Sequence, residues 1–464
     1  MQDNAVNSSD STVGDAGRRR FEPPCGPVLG VVDGLVVRAR SIRYARADRF
    51  ALPERVDRWI EPHEATSPAP ACPQLPSPYL VETLGGPVTT QTPDEDCLRL
   101  TVTRPTDDTG DPLPVVVWVH GGSYVLGAGD DPHFDPDALV AEERIVFVAV
   151  TYRLGIFGFL GDGSPERPAN LGLLDIMAAL EWVQENVGAF GGDPDRITMM
   201  GQSAGGDAIA HLLAVPAERR LFRRAIVQSA PLGLRHNRTA MTTQMFDRTR
   251  HLDASSSVAE ILDIQAELIA DGPRYGLKGL MAFGPQYGHD PLPADEDIEK
   301  AWTRGASGIE LLIGYNRDET DYFLPQVPRM DVVERVPIVG PLVRRLVSRT
   351  VTRIVYSRDI DRFARDHAAA GGTAIRYRID WHVPTSAYGA AHCIELPLLF
   401  GSEADWESAT LLTGAPWSQI ADDGRVLRSI WGRFIRGEDL GAQAPPEAAG
   451  IVSYRPLRPR VPSQ

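Results

Sequence analysis

Gly201-Gln-Ser-Ala-Gly205 sets a single serine between two glycines at a spacing suited to nucleophilic chemistry. A serine hydroxyl is a weak nucleophile at neutral pH and needs a histidine base with an acid to orient it. Where G-x-S-x-G joins a strand to a helix, the sharp turn lifts the hydroxyl above the sheet. The flanking glycines let strand and helix approach, and the helix N-terminus adds positive potential where an oxyanion develops. His120-Gly-Gly-Ser123 is the second candidate. A glycine-rich loop can turn its amides inward, so Gly122, Ser123 and Ala204 are the expected oxyanion donors. The plainer reading of that loop is a strand-end turn that needs glycine for positive φ. His120 is expected to hold the loop by hydrogen bonds and not to act as the base.

The acid and base should follow the serine in the order Ser, Asp or Glu, His. Of ten histidines, only His289, His367, His382 and His392 lie late in the chain. His392 sits in the small-residue loop Gly389-Ala-Ala-His-Cys-Ile-Glu-Leu-Pro397, and His382 follows the preceding strand more directly. Asp318 and Glu319 both follow the apolar run Glu310–Ile313, and spacing does not choose between them.

These residues need a sheet to hold them. Leu113–Val119 and Arg144–Thr151 are β-branched and apolar on both faces, as buried parallel strands are. Ile197–Met200, Arg224–Gln228, Glu310–Gly314 and Ala374–Ile379 extend the series. Between Leu171 and Val187 the apolar period lengthens to that of a helix, closed by Gly188 and Gly191-Gly192. Strands alternating with helices predict an α/β fold: a mostly parallel sheet covered on both faces. Val31–Val37, hairpin-like around Asp33-Gly34, predicts antiparallel strands at the start of the sheet. No repeat or linker composition separates Val28 from Pro456. The expected organisation is a disordered tail over 1–25 and one domain over 26–464, with loops inserted as a lid or gorge.

Composition removes several function classes. With 47 basic and 62 acidic residues the formal charge is −15, which disfavours nucleic-acid partners. Four cysteines without a CxxC make neither a disulfide framework nor a zinc knuckle. No HExxH or clustered ligand set suggests a metal, and Gly127-Ala-Gly129 has Pro132 where a dinucleotide loop needs its last glycine. The reading is a cofactor-free, metal-free enzyme without an integral membrane segment. It is expected to be cytoplasmic, a monomer or homodimer, acting on a small molecule.

In this order the motifs resemble the type-B carboxylesterases, the α/β-hydrolase family that includes para-nitrobenzyl esterases and cholinesterases. The likeness runs from about Gly26 to about Gly437. It is carried by Glu95-Asp-Cys-Leu98, Trp118-Val-His-Gly-Gly122, Thr151-Tyr-Arg-Leu-Gly155 with Gly158-Phe-Leu160, and Asn170–Asp175. Ala189–Pro194, Gly314–Glu319 and Ala391–Pro397 continue it. The resemblance implies Ser203 as nucleophile, Glu319 as acid and His392 as base. It places Ser229 behind them as a buried hydrogen-bonding serine, and matches Cys72 and Cys97 to the family's first disulfide pair. In a reducing compartment two buried thiols are expected there instead.

There are departures. Gln202 stands where the family has glutamate, Ser123 where it has a third loop glycine, and Thr320 where glycine follows the acid. The stretch from Pro231 to Gly284 is shorter than in the larger family members. Nine arginines lie between Arg329 and Arg365 among Val, Ile and Leu. A lid helix with one apolar face on the gorge and a basic outer face is expected, with weak lipid contact as the alternative. The expected activity is hydrolysis of carboxylic esters through a Ser-His-Glu triad and an acyl-enzyme. An acyltransferase built on the same intermediate, or a non-catalytic binding member of the fold, are the other readings.

Overall fold

The computed structural model describes residues 17–56, 58–86, 89–108, 110–327, 335–336 and 339–457. Its strands are β1 (Arg18–Phe21), β2 (Val28–Asp33), β3 (Val36–Arg43), β4 (Ala45–Arg46), β5 (Glu54–Arg55), β6 (His63–Glu64) and β7 (Arg99–Pro105). Then follow β8 (Leu113–Val119), β9 (Val146–Val150), β10 (Gly192–Gln202), β11 (Arg224–Gln228), β12 (Glu310–Asn316), β13 (Thr373–Ile379) and β14 (Val452–Leu457). The main sheet runs β1-β2-β3-β7-β9-β8-β10-β11-β12-β13-β14, with β6 beside β2. From β9 to β13 every pairing is parallel. Apart from the short parallel pairing of β6 with β2, both flanks are antiparallel. This is the α/β-hydrolase arrangement.

The apolar runs explain the two-sided burial. In β8, Val115, Val117 and Val119 join one core, while Val116 and Trp118 join the other. The first core takes the helices Leu171–Asn186, Ala204–Leu212 and Arg358–Ala369; the second takes Asp137–Glu143 and Trp417–Arg436. Parallel strands end on one edge, so the loops after β8, β10, β12 and β13 gather there, where an open α/β sheet binds its ligands.

Three expectations meet a different structure. Arg18–Phe21, read as part of the tail, pairs with Leu29 and its neighbours as β1, because Phe21 buries against Phe190. Residues 1–16 of that tail lie outside the described residues. β14, antiparallel to β13, closes an edge the sequence reading left open. The arginine-rich segment does form a helix, Val339–Thr352, continuing through a π turn, Arg353–Ser357, into Arg358–Ala369. Val339, Leu342 and Leu346 on it are exposed, while Val343, Val347 and Val351 are half-buried, Val351 against the first core. The buried residues of Val339–Thr352 are Gly340, Ser348 and Thr352; Thr352 Oγ1 accepts from the Thr320 backbone N–H at 3.2 Å and meets Thr320 Oγ1 at 2.9 Å. Residues 329–334 and 337–338 of the segment lie outside the described residues. Among the described residues no helix is long and apolar enough to cross a membrane.

Candidate active site

β10 runs straight into Ser203, which takes φ 56° and ψ −123° before the helix Ala204–Leu212 begins. Such a backbone is strained for a side-chain-bearing residue. It is held by the Ser203 N–H donating to Gln228 O at 2.8 Å and by the Asp207 N–H donating to Ser203 O at 2.9 Å. The motif glycines have steric reasons. A Cβ on Gly205 would strike the Val119 and His120 carbonyl oxygens. On Gly201 it would meet the Gly205 backbone at 2.7 Å.

The loop after β8 passes beside this turn: a Cβ on Gly121 would sit 3.0 Å from the Ser203 Cβ. Gly122, Ser123 and Tyr124 all take positive φ, at 109°, 54° and 62°. Among the described residues, the backbone N–H groups of Gly122, Ser123 and Ala204 donate to no protein acceptor. Those are the three donors expected for an oxyanion. His120 is fully buried and stacks on Tyr152 at 4.5 Å. Its Nδ1–H donates to Gly121 O at 2.8 Å, and burial pushes its pKa down to about 4. A ring held neutral in this way braces the loop, as expected.

β12 and β13 deliver the other two groups. His392 Nδ1 donates to Glu319 Oε2 at 2.6 Å, with both side chains buried. Glu319 Oε1 accepts from the Asn316 N–H at 2.8 Å. Asp318 instead ties the loop, its Oδ2 accepting from the Ala390 N–H and from Arg317 Nε. His382 Nδ1 meets Asp380 O, and His367 Nε2 meets Ile309 O; neither faces a carboxylate in these contacts. The far nitrogen of His392, Nε2, lies 3.3 Å from Gln202 Nε2. Phe323, Tyr356 and Tyr322 surround the imidazole, with ring centroids 5.4, 5.6 and 6.1 Å away. Among the described residues His392 makes no hydrogen bond to Ser203. Such bonds are commonly long before substrate binds.

One expectation drawn from the resemblance differs in detail, and one left open is answered. Ser229 is fully buried behind the site at φ 51°, but among the described residues its Oγ has no hydrogen-bond partner. Cys72 and Cys97 are buried, adjacent and unbridged; hydrogen bonding to Cys72 and burial together raise the Cys97 thiol pKa.

Glu395 was missed. It is fully buried, with Oε2 accepting from Asn316 Nδ2 at 2.6 Å. Burial first, then the nearby Glu319 charge, pushes its pKa up to about 7. Its position three residues after His392 in an otherwise apolar stretch was the available signal.

Residues 23–336 match the family model described as the carboxylesterase family. The chain is 37% identical over 421 residues to a probable N-octanoylanthranilate hydrolase of Rhodococcus erythropolis, covering 89% of this chain and 91% of that one. It is 36% identical to a para-nitrobenzyl esterase of Bacillus subtilis, covering 90% of each. A solved thermophilic para-nitrobenzyl esterase superposes with a TM-score of 0.75 at 32% identity, again over 90% of each chain.

Proposed function

The chain belongs to the carboxylesterase family and is a carboxylic ester hydrolase, and we propose that it works through Ser203, His392 and Glu319 with an acyl-enzyme intermediate. The observation that carries this reading is the buried 2.6 Å bond from His392 Nδ1 to Glu319. It leaves Nε2 unprotonated at the nucleophile turn, the tautomer a general base needs.

In the proposed cycle the Ser203 hydroxyl attacks the ester carbonyl as His392 Nε2 takes its proton. Glu319 stabilises the imidazolium without becoming protonated. The free N–H groups of Gly122, Ser123 and Ala204 take the oxyanion; each is worth about 10²–10³ in turnover. The alcohol departs with the His392 proton, and water then resolves the acyl-enzyme by the same steps. No cofactor enters the scheme.

Hydrolysis of p-nitrophenyl esters from acetate to long acyl chains tests the reading, with an N-octanoyl anthranilate included because one relative is named for it. Ser203→Ala should lose nearly all turnover, and more than a few per cent retained would overturn the assignment. Product analysis with an added alcohol acceptor separates a hydrolase from an acyltransferase.

A further inference from the structure

Beneath the oxyanion loop lies a buried polar cluster that the proposed cycle does not use. Asp207 stands one turn after Ser203 on the helix Ala204–Leu212 and is 1% exposed. Tyr124 follows Ser123 in the loop and is fully buried. Its hydroxyl donates to Asp207 Oδ2 at 2.7 Å. Burial raises the Tyr124 pKa well above the usual range, so the phenol stays a donor. The Tyr124 carbonyl accepts from the Gly155 N–H at 2.6 Å, and its ring packs on Phe159 at 4.4 Å.

We propose that Asp207 is a positioning residue for the oxyanion hole, acting through the Tyr124 phenol; this rests on the assignment of Gly122, Ser123 and Ala204 as the oxyanion donors. The hole draws on two elements. Gly122 and Ser123 come from the loop after β8, and Ala204 opens the nucleophile helix. Their separation must be fixed to a fraction of an ångström for all three donors to reach one oxygen. Ser123 and Tyr124 both hold positive φ, a backbone that persists only where its surroundings over-determine it. The Tyr124–Asp207 bond joins the end of that strained pair to the helix that carries Ala204.

A buried carboxylate near a developing oxyanion would oppose it unless its charge is balanced. Asp207 sits in the first turn of its helix, where the dipole favours a negative charge. The Arg238 guanidinium, 4% exposed, has its pKa lowered chiefly by burial, and the nearby Asp207 charge acts in the opposite direction, partly balancing the carboxylate. Arg238 also donates to Lys278 O and Ala282 O, which fastens the neighbouring loop to the same cluster. His211 is kept neutral by burial. Its Nδ1 donates to Asp207 O at 2.7 Å, lies 3.4 Å from Oδ2, and leaves Nε2 to accept from Tyr287 at 2.7 Å. The carboxylate thus accepts from Tyr124 on Oδ2, while Oδ1 has no hydrogen-bond partner among the described residues, and its required role toward Tyr124 is that of an acceptor.

The test compares Tyr124→Phe, Asp207→Ala, Asp207→Asn and the Tyr124→Phe/Asp207→Ala pair. Readouts are kcat, KM, thermal stability and affinity for a boronic acid that mimics the tetrahedral intermediate. Tyr124→Phe and Asp207→Ala should each lower kcat by roughly ten- to a hundredfold, with KM within about twofold and boronate affinity falling in parallel. Asp207→Asn keeps the acceptor and should stay within about threefold of wild type. The double variant should be no worse than the worse single one, because both remove one link. Unchanged kcat in Tyr124→Phe, additive losses in the double variant, or a loss of stability without loss of boronate affinity would each overturn the proposal. If Asp207→Ala does not fold, Tyr124→Phe and Asp207→Asn carry the comparison. Ser203→Ala is run alongside: activity there would remove the esterase site itself, whereas an inactive Ser203→Ala with a normal Tyr124→Phe removes only the positioning role.

Discussion

The side-chain amide nitrogen of Gln202 lies 3.3 Å from Nε2 of His392, the nitrogen that receives the serine proton in the proposed cycle. An amide N–H pointing there donates to the imidazole lone pair, so it competes with the Ser203 hydroxyl for it. A glutamate at 202, the usual residue in this family, would instead place a negative charge beside the ring and favour imidazolium. Gln202→Glu should therefore move the acid limb of the kcat/KM–pH profile to higher pH, while the plateau keeps the same order of magnitude. A limb that stays put or moves down would show that the residue at 202 does not set the basicity of His392.

Arg153 and Asp175 form a buried bidentate pair: Nε to Oδ2 at 2.9 Å and Nη2 to Oδ1 at 2.7 Å, with the Arg153 N–H also on Oδ2 at 3.1 Å. Asp175 is fully buried, and Arg153 nearly so. Removing one partner strands the other charge, which costs about 3–5 kcal/mol. Asp175→Ala should lose that much in urea unfolding, whereas Arg153→Met/Asp175→Leu, which leaves no stranded ion, should recover most of it. Equal losses in both variants would mean that the pair contributes attraction beyond its own desolvation.

That pair shows what the sequence carries and what it hides. Its two ends lie in stretches that the motif order singled out, Thr151–Gly155 and Asn170–Asp175, but their contact is set only by folding. Strand positions were legible because β-branched runs such as Leu113–Val119 and Arg224–Gln228 admit one reading. The serine turn was legible because its glycines answer a local steric need. By spacing the choice between Asp318 and Glu319 was not; the family resemblance alone pointed to Glu319. Adjacent carboxylates on one loop are distinguished only by the chain 70 residues on, where Ala390 takes one and His392 the other. Asp207 and Glu395 escaped for the same reason: each acts on a partner brought in by the sheet. β14 escaped because Arg455 and Pro456 break the apolar pattern of an edge strand.

Gly205 and Gly188 make a matched pair of glycine substitutions. A Cβ at 205 collides with two backbone carbonyls of the oxyanion strand, whereas at 188 it meets nothing within 4 Å. Gly205→Ala must push the nucleophile helix off β8, so it should cost about 1–3 kcal/mol and lower kcat at least tenfold. Gly188→Ala should leave both within error of wild type. Thermal melts and p-nitrophenyl ester turnover measured on the same samples decide the matter. Intact turnover in Gly205→Ala would mean that the strand–helix spacing is not what places the donors.

Glu395 predicts a pH dependence of stability. Its pKa rises from 4.5 in the ordinary state to about 7 in the fold, chiefly because burial disfavours the charged carboxylate and secondly because Glu319 lies nearby. An acid whose folded pKa is raised binds its proton more tightly when folded. Its favourable contribution is complete below the unfolded value, about 4.5, and is lost as pH rises to about 7. A difference of that size corresponds to roughly 3 kcal/mol over the window. Glu395→Gln keeps the shape and an oxygen for Asn316 Nδ2 but cannot ionise, so its stability should not fall through this range. Relative to wild type, the variant should gain stability steadily between pH 4.5 and 7 and hold that gain above pH 7. Urea unfolding of both proteins at half-unit pH steps gives the difference directly, with other titrating groups cancelling to first order. A constant difference across the window would mean that Glu395 ionises in the fold as readily as in the open chain, and that burial beside Glu319 is compensated within the site.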